Sequence, residues 1–112
     1  TDHLAKAKKM ALIEVAREAL NNIGKHAAAT QVNMQLGVDD HNIILTIHDN
    51  GIGFDFDYAI RGMGLNNMEA YMKEVDGTLL IVSSLEEGTT ITATAPRNHN
   101  IWSDILCLLN RP

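Results

Sequence analysis

At 112 residues the chain has room for one compact domain with one core, since domains run to about 100–150 residues and a chain of this size buries roughly two-thirds of its unfolded surface. A hydrophobic content of 46% with only two prolines argues against extensive disorder, and no apolar run approaches the roughly 20 residues that cross a bilayer. The net charge of -5 argues against sequence-independent nucleic-acid binding, which needs a cationic surface to displace counterions. Cys107 is the only cysteine, so an internal disulfide is excluded and a packing role in its apolar stretch is expected.

In chain order, Leu4, Ala11, Leu12, Val15, Ala16, Ala19, Leu20 and Ile23 recur at helical spacing with charged residues between them, which predicts one long amphipathic helix over residues 4–27. After Thr30 the rhythm changes to period two. Val32, Met34 and Leu36 then face one way and Gln31, Asn33 and Gln35 the other, as in a strand with one wet face. The turn cluster at residues 39–42 is followed by a second strand over 43–48, and the pair reads as an antiparallel hairpin. Leu65, Met68, Tyr71, Met72 and Val75 mark another helix, with Gly77 placed to terminate it. Residues 78–84 and 89–95 read as two further strands around a turn, and Pro96 stops the last of them. Beyond it Ile101, Trp102, Ile105, Leu106 and Leu109 suggest a short amphipathic helix in the tail, residues 98–112. The expected fold class is α+β, a two-layer sandwich of a mixed, mainly antiparallel sheet with its helices on one face, occupying residues 1–97.

Three places carry candidate chemistry. Glu18, Asn22 and Lys25 are spaced i, i+4 and i+7 on the first helix and share a stripe, with His26 slightly to its side. Such a triple is more often a plain solvated face. Yet Asn21, Asn22 and Gly24 are poor helix formers, together costing about 2 kcal/mol relative to alanine, which suggests another use. A hard cation such as Mg²⁺ wants oxygen ligands and keeps several waters, so one Asn carbonyl plus phosphate oxygens would suffice.

Asp49-Asn50-Gly51-Ile52-Gly53 puts a carboxylate at a strand end, followed by alternate glycines that let a flat ligand approach closely. The bland alternative is a turn after a strand. Gly62-Met63-Gly64 then opens a helix, whose N-terminal N–H groups favour phosphate. Neither glycine pair is a dinucleotide fingerprint or a Walker loop. Gly88-Thr89-Thr90 adds a hydroxyl before the final strand, and by itself reads as a hairpin turn. His41, His48 and His99 lack the spacing of a metal site and read as turn or surface residues, and Met63, Met68 and Met72 as packing.

With these segments in order, residues 17–27, Asp49 to Phe54, Gly62 to Leu65 and Gly88 to Thr90, the chain resembles the GHKL ATPases and their N, G1, G2 and G3 boxes. The resemblance spans about residues 10–96. The form of the first box and the short interval from Gly53 to Gly62 are similar to the nitrate-sensor and membrane-fluidity-sensor subfamily of bacterial sensor histidine kinases.

The resemblance implies the Bergerat fold and Mg-ATP binding. By it, Asn22 ligates Mg²⁺, Glu18 positions a water in the metal shell, and Lys25 and His26 lie near the phosphates. Asp49 accepts from the adenine amino group, with Thr89 beside it through a water, and Gly51 and Gly53 let the base enter. Gly62, Gly64 and Leu65 form the hinge and phosphate-facing helix start after a short lid, residues 54–61, which carries Phe54 and Phe56.

It further implies transfer of the γ-phosphate to a histidine on the dimerisation domain of the same kinase, a homodimer, with a response regulator as the next acceptor. The family's usual strand ahead of the first helix and its phosphoacceptor hairpin are not among these residues, and His3 reads as incidental. The module itself is expected in the cytoplasm without membrane contact, the parent kinase being a candidate for membrane anchoring. An anti-sigma type serine kinase shares the same boxes, and a non-catalytic interaction module of the same fold is the other alternative.

Overall fold

A computed structural model describes residues 2–24, 29–52, 65–84, 87–97 and 109, with side chains from residue 6 onward. Helix α1 (Asp2–Asn22) leads into the hairpin β1 (Val32–Val38) and β2 (Asn42–Asp49), and helix α2 (Leu65–Glu74) into the hairpin β3 (Thr78–Ser84) and β4 (Gly88–Pro96). The expected tail helix lies outside the described residues apart from Leu109, which is exposed. No described helix is long and apolar enough to cross a membrane.

The sheet runs in the order β1-β2-β4-β3. All three pairings are antiparallel, so the parallel element allowed for in a mixed sheet is not found among the described strands. The α+β sandwich otherwise stands, with both helices on one face. Strand alternation sends Leu45, Ile47 and Asp49 of β2, and Thr89, Ile91, Ala93 and Ala95 of β4, toward the helices. Ala93 and Ala95 are fully buried, and their small side chains let the helical layer come close to the central strand. Onto them pack Ala11, Leu12, Val15 and Ala19 of α1 with Leu65, Met68 and Met72 of α2 and Val75 just beyond it. Burying side chains as large as Val15, Ile47, Met68 and Met72 contributes about 1.5–3 kcal/mol each.

Helix α1 departs from its sequence reading on one flank. Leu20 stands about 100° further round the helix than the buried Ala19 and is 43% exposed, and Met10 and Ile13 are each 49% exposed. The second departure is β1, where every residue is exposed rather than alternate ones. Its register places Val32, Met34, Leu36 and Val38 opposite Asp49, Ile47, Leu45 and Ile43, on the helix side of the sheet. The described helices, however, pack chiefly over β2, β4 and β3, and every side chain of β1 is exposed.

The end of α2 also differs from expectation in its detail. Asp76, not Gly77, takes the left-handed conformation at φ 56°. Its N–H donates to Lys73 O at 3.1 Å, and the N–H of Gly77 donates to Met72 O at 2.7 Å, the two bonds of a Schellman cap. Glycine is required at 77 for space. A Cβ there would stand 2.6 Å from Thr94 O and 2.7 Å from Met72 Cε.

The loop between the first two strands is an Asx turn, Asp39 Oδ1 accepting from His41 N at 2.8 Å and Asn42 N at 2.7 Å. Arg97 fastens the exit of β4 to it, donating through Nη1 to Asp39 O at 3.0 Å and through its backbone N–H to His41 O at 2.7 Å.

Candidate functional site

The carboxylate at the end of β2 is the best-defined element of the site. Alternation from Leu45 and Ile47 carries Asp49 to the helix side, where it is 3% exposed. A buried carboxylate is costly unless hydrogen-bonded, and the N–H of Gly51 donates to Asp49 Oδ1 at 2.8 Å. That bond folds the chain back immediately after the strand and buries Gly51, while Ile52 next to it is exposed.

Antiparallel pairing sets Thr89 directly opposite Asp49, and Ser83 opposite Thr89. Three polar side chains therefore follow one another across β2, β4 and β3 at the edge of an otherwise apolar face. Thr89 is 6% exposed, and its Oγ1 lies 2.7 Å from Ser83 Oγ. Among the described residues no buried side-chain nitrogen or oxygen lacks a partner.

Gly88 makes this closeness possible. It sits at φ +90°, and a Cβ on it would collide with the carbonyl oxygen of Asp49 and stand 3.1 Å from Asn50 Cα. Only glycine meets both demands.

Asn50 holds the turn from the other side. Its Oδ1 accepts from the N–H groups of Thr30 at 3.0 Å and Gln31 at 2.9 Å, and its Nδ2 donates to Thr30 Oγ1 at 2.9 Å. The backbone N–H of Asn50 donates to Gln31 O at 3.2 Å. The segment arriving from α1 is thereby pinned to the residue that follows Asp49.

Glu18 and Asn22 are half-buried on the last two turns of α1, on the flank of the core stripe opposite Leu20. Arg17 beside them is solvent-exposed and pairs with Glu14 at 3.1 Å, a surface contact of small energetic weight. Leu65 is buried as the first residue of α2. The structure thus brings Asp49, Gly51 and Thr89 together and places Glu18, Asn22 and Leu65 on the flanking helix ends. Lys25, His26, Gly53, Gly62 and Gly64, and the lid over 54–61, lie outside the described residues.

No group of three or more His, Cys, Asp or Glu side chains suited to a metal occurs among the described residues. A magnesium ion that takes most of its ligands from water and phosphate needs only one or two protein oxygens, and the Asn22 amide and Glu18 carboxylate have the right donor chemistry. His48 belongs to the outer face of the sheet, with Nδ1 2.8 Å from Thr90 Oγ1.

Sequence reasoning passed over two contributors, Asn50 and Ser83. Asn50 was hidden by its turn-like neighbours, although an Asn before a glycine is a common local clamp. Ser83 was signalled only by being a polar residue on the inward alternation of β3, after Leu79 and Ile81.

Residues 7–99 match the family of histidine kinase-, DNA gyrase B- and HSP90-like ATPases, and the chain belongs to that family. Within it the similarity is to sensor kinases. The chain is 41% identical to the sensor histidine kinase MctS of Rhizobium johnstonii, over 89% of this chain and 22% of that one. It is 36% identical to the sensor protein VraS of Staphylococcus aureus, over 78% of this chain and 25% of that one. Among solved structures, the ATP-binding domain of PrrB from Mycobacterium tuberculosis superposes with a TM-score of 0.68 at 22% identity, covering 80% of this chain and 69% of that one. The chain spans about a fifth to a quarter of the length of the curated relatives it matches.

Proposed function

We propose that this domain binds Mg-ATP against the Asp49 turn and, in its parent protein, presents the γ-phosphate to a histidine on the dimerisation domain of a homodimeric sensor kinase. A response regulator takes the phosphate next. The observation that carries the reading is the buried Asp49 carboxylate, held by Gly51 N–H and faced by Thr89 across the β2–β4 ladder. Carboxylate oxygens accept hydrogen bonds, which suits a base with an amino donor, as adenine has. The sensor-kinase names of the relatives support the choice of histidine as acceptor over the serine-kinase and interaction-module alternatives.

In this reading Asp49 accepts from the adenine amino group, Thr89 holds a water beside it, and Gly51 and Gly53 give the base room. Asn22 supplies a carbonyl oxygen to Mg²⁺ and Glu18 orients one of the ion's waters. Lys25 and His26 face the phosphates, while Gly62, Gly64 and Leu65 present the start of α2 to them. When bound, Mg²⁺ neutralises phosphate charge, and the protein's work is positioning and electrostatic stabilisation.

Calorimetric titration with ADP and a non-hydrolysable ATP analogue, with and without Mg²⁺, tests this. The wild-type domain is expected to bind in the micromolar to submillimolar range. Asp49→Ala is expected to abolish binding, and Asn22→Ala to remove the Mg²⁺ dependence. A folded wild-type domain that shows no binding heat at millimolar nucleotide would overturn the proposal.

A further inference from the structure

We infer that Ser83 is a positioning residue for base recognition, acting through the hydroxyl of Thr89; the inference rests on the nucleotide-binding reading above. Asp49, Thr89 and Ser83 occupy matched register positions on three adjacent strands, all on the helix side of the sheet. Asp49 is anchored by Gly51 N–H, so its carboxylate has a set orientation. A threonine hydroxyl has no such anchor of its own. Its proton rotates freely among staggered positions.

Ser83 removes that freedom. The 2.7 Å separation between Ser83 Oγ and Thr89 Oγ1 is a short hydroxyl–hydroxyl hydrogen bond, and Gly88 O, on the residue before Thr89, stands 3.4 Å from Ser83 Oγ as the alternative acceptor for its single proton. Whichever hydroxyl donates, the bond fixes which direction of Thr89 Oγ1 remains to meet a ligand or its water. The threonine is almost fully buried, so an unguided hydroxyl there would have few water partners to replace the serine. Gly88 adds to the constraint, because its close approach to the Asp49 carbonyl sets the spacing between β2 and β4 at this point.

The test is a double-mutant cycle on the 112-residue chain. ADP and GDP affinities are measured by calorimetry for wild type, Ser83→Ala, Thr89→Val and the double variant, with melting temperatures recorded without nucleotide. Ser83→Ala is expected to weaken ADP about fivefold, as for the loss of one oriented hydrogen bond, and to lower the ADP-to-GDP affinity ratio by a similar factor. In the Thr89→Val background the same change should alter ADP binding less than about twofold. Ser83→Cys, close in size and a weak donor, should fall between, and it takes the same arms should Ser83→Ala fail to fold.

An unchanged affinity, an equal loss in the Thr89→Val background, or a loss shared equally by ADP and GDP would overturn the assignment, the last showing a purely structural role. Failure of the wild-type domain to bind ADP would instead refute the nucleotide-binding reading itself.

Discussion

Gly88→Ala probes the contact on which the site geometry depends. The residue sits at φ +90°, where a side chain costs about 1–2 kcal/mol. The new Cβ would also overlap Asp49 O and stand 3.0 Å from Asp49 C and 3.1 Å from Asn50 Cα. These neighbours are backbone atoms of β2 and its turn, which have no rotamer to yield. The ladder must open at the Asp49–Thr89 pair instead, at a further cost of about 1 kcal/mol for the weakened hydrogen bonding. The expected total is about 2–3 kcal/mol. With a urea slope of about 1–3 kcal/mol/M for a domain of this size, the unfolding midpoint followed by far-ultraviolet circular dichroism falls by about 1–3 M. Gly37→Ala is the control, because a Cβ there meets nothing within 4 Å. It should be neutral or stabilising by up to about 1 kcal/mol. A Gly88→Ala variant within about 0.5 kcal/mol of wild type would refute the close approach of β4 to β2.

Removing the Asn50 clamp with Asn50→Ala deletes three side-chain hydrogen bonds, and because water compensates at this exposed position the expected loss is about 1–2 kcal/mol in the same urea assay. Asn50→Asp keeps the acceptor for Thr30 and Gln31 N–H but cannot donate to Thr30 Oγ1, and should lose less. Asp39 has its pKa lowered from 3.8, chiefly by the N–H bonds from His41 and Asn42, with the charges of His41 and Arg97 assisting. A carboxylate with a depressed folded-state pKa stabilises above its unfolded pKa, and the stabilisation is lost as pH falls through the folded value. The difference in urea midpoint between wild type and Asp39→Asn should therefore be constant near neutrality and shrink as pH drops below about 4. In the core, Met68→Ala empties a completely buried position on the inner face of α2, with an expected cost of about 2–5 kcal/mol by thermal or urea unfolding.

Much of this was legible in the chain because two periodicities carry it. The 3.6-residue recurrence of Leu65, Met68, Met72 and Val75 and the alternation of Ile91, Ala93 and Ala95 each report one buried face, and both faces are where the pattern put them. Asp49 was visible as a lone acid ending an apolar strand before a glycine. Periodicity says which face is apolar but not whether a partner covers it, so β1 looked half-buried and is exposed. Leu20 was misplaced for a related reason, since a helical stripe has soft edges and the neighbouring layer decides which flank is covered. At the end of α2 the sequence marks Gly77 as the terminating residue. Asp76 takes the left-handed conformation, and the glycine is needed one step later where Thr94 crowds in. Ser83 and Asn50 act through cross-strand and cross-loop bonds, which depend on register, and register is not written locally in a sequence.

The exposed β1 strand bears on how firmly the Asp49 turn can be held. A strand with no buried face gains little from the hydrophobic effect, so it is kept in place by its ladder to β2 and by the Asn50 clamp. Such a segment opens at lower free energy than the rest of its sheet. Because Asn50 adjoins Asp49 and also grips the entry to β1, each local opening releases the support behind the carboxylate. Under the proposed function, the fraction of molecules with β1 closed then multiplies the intrinsic affinity of the Asp49 turn for nucleotide.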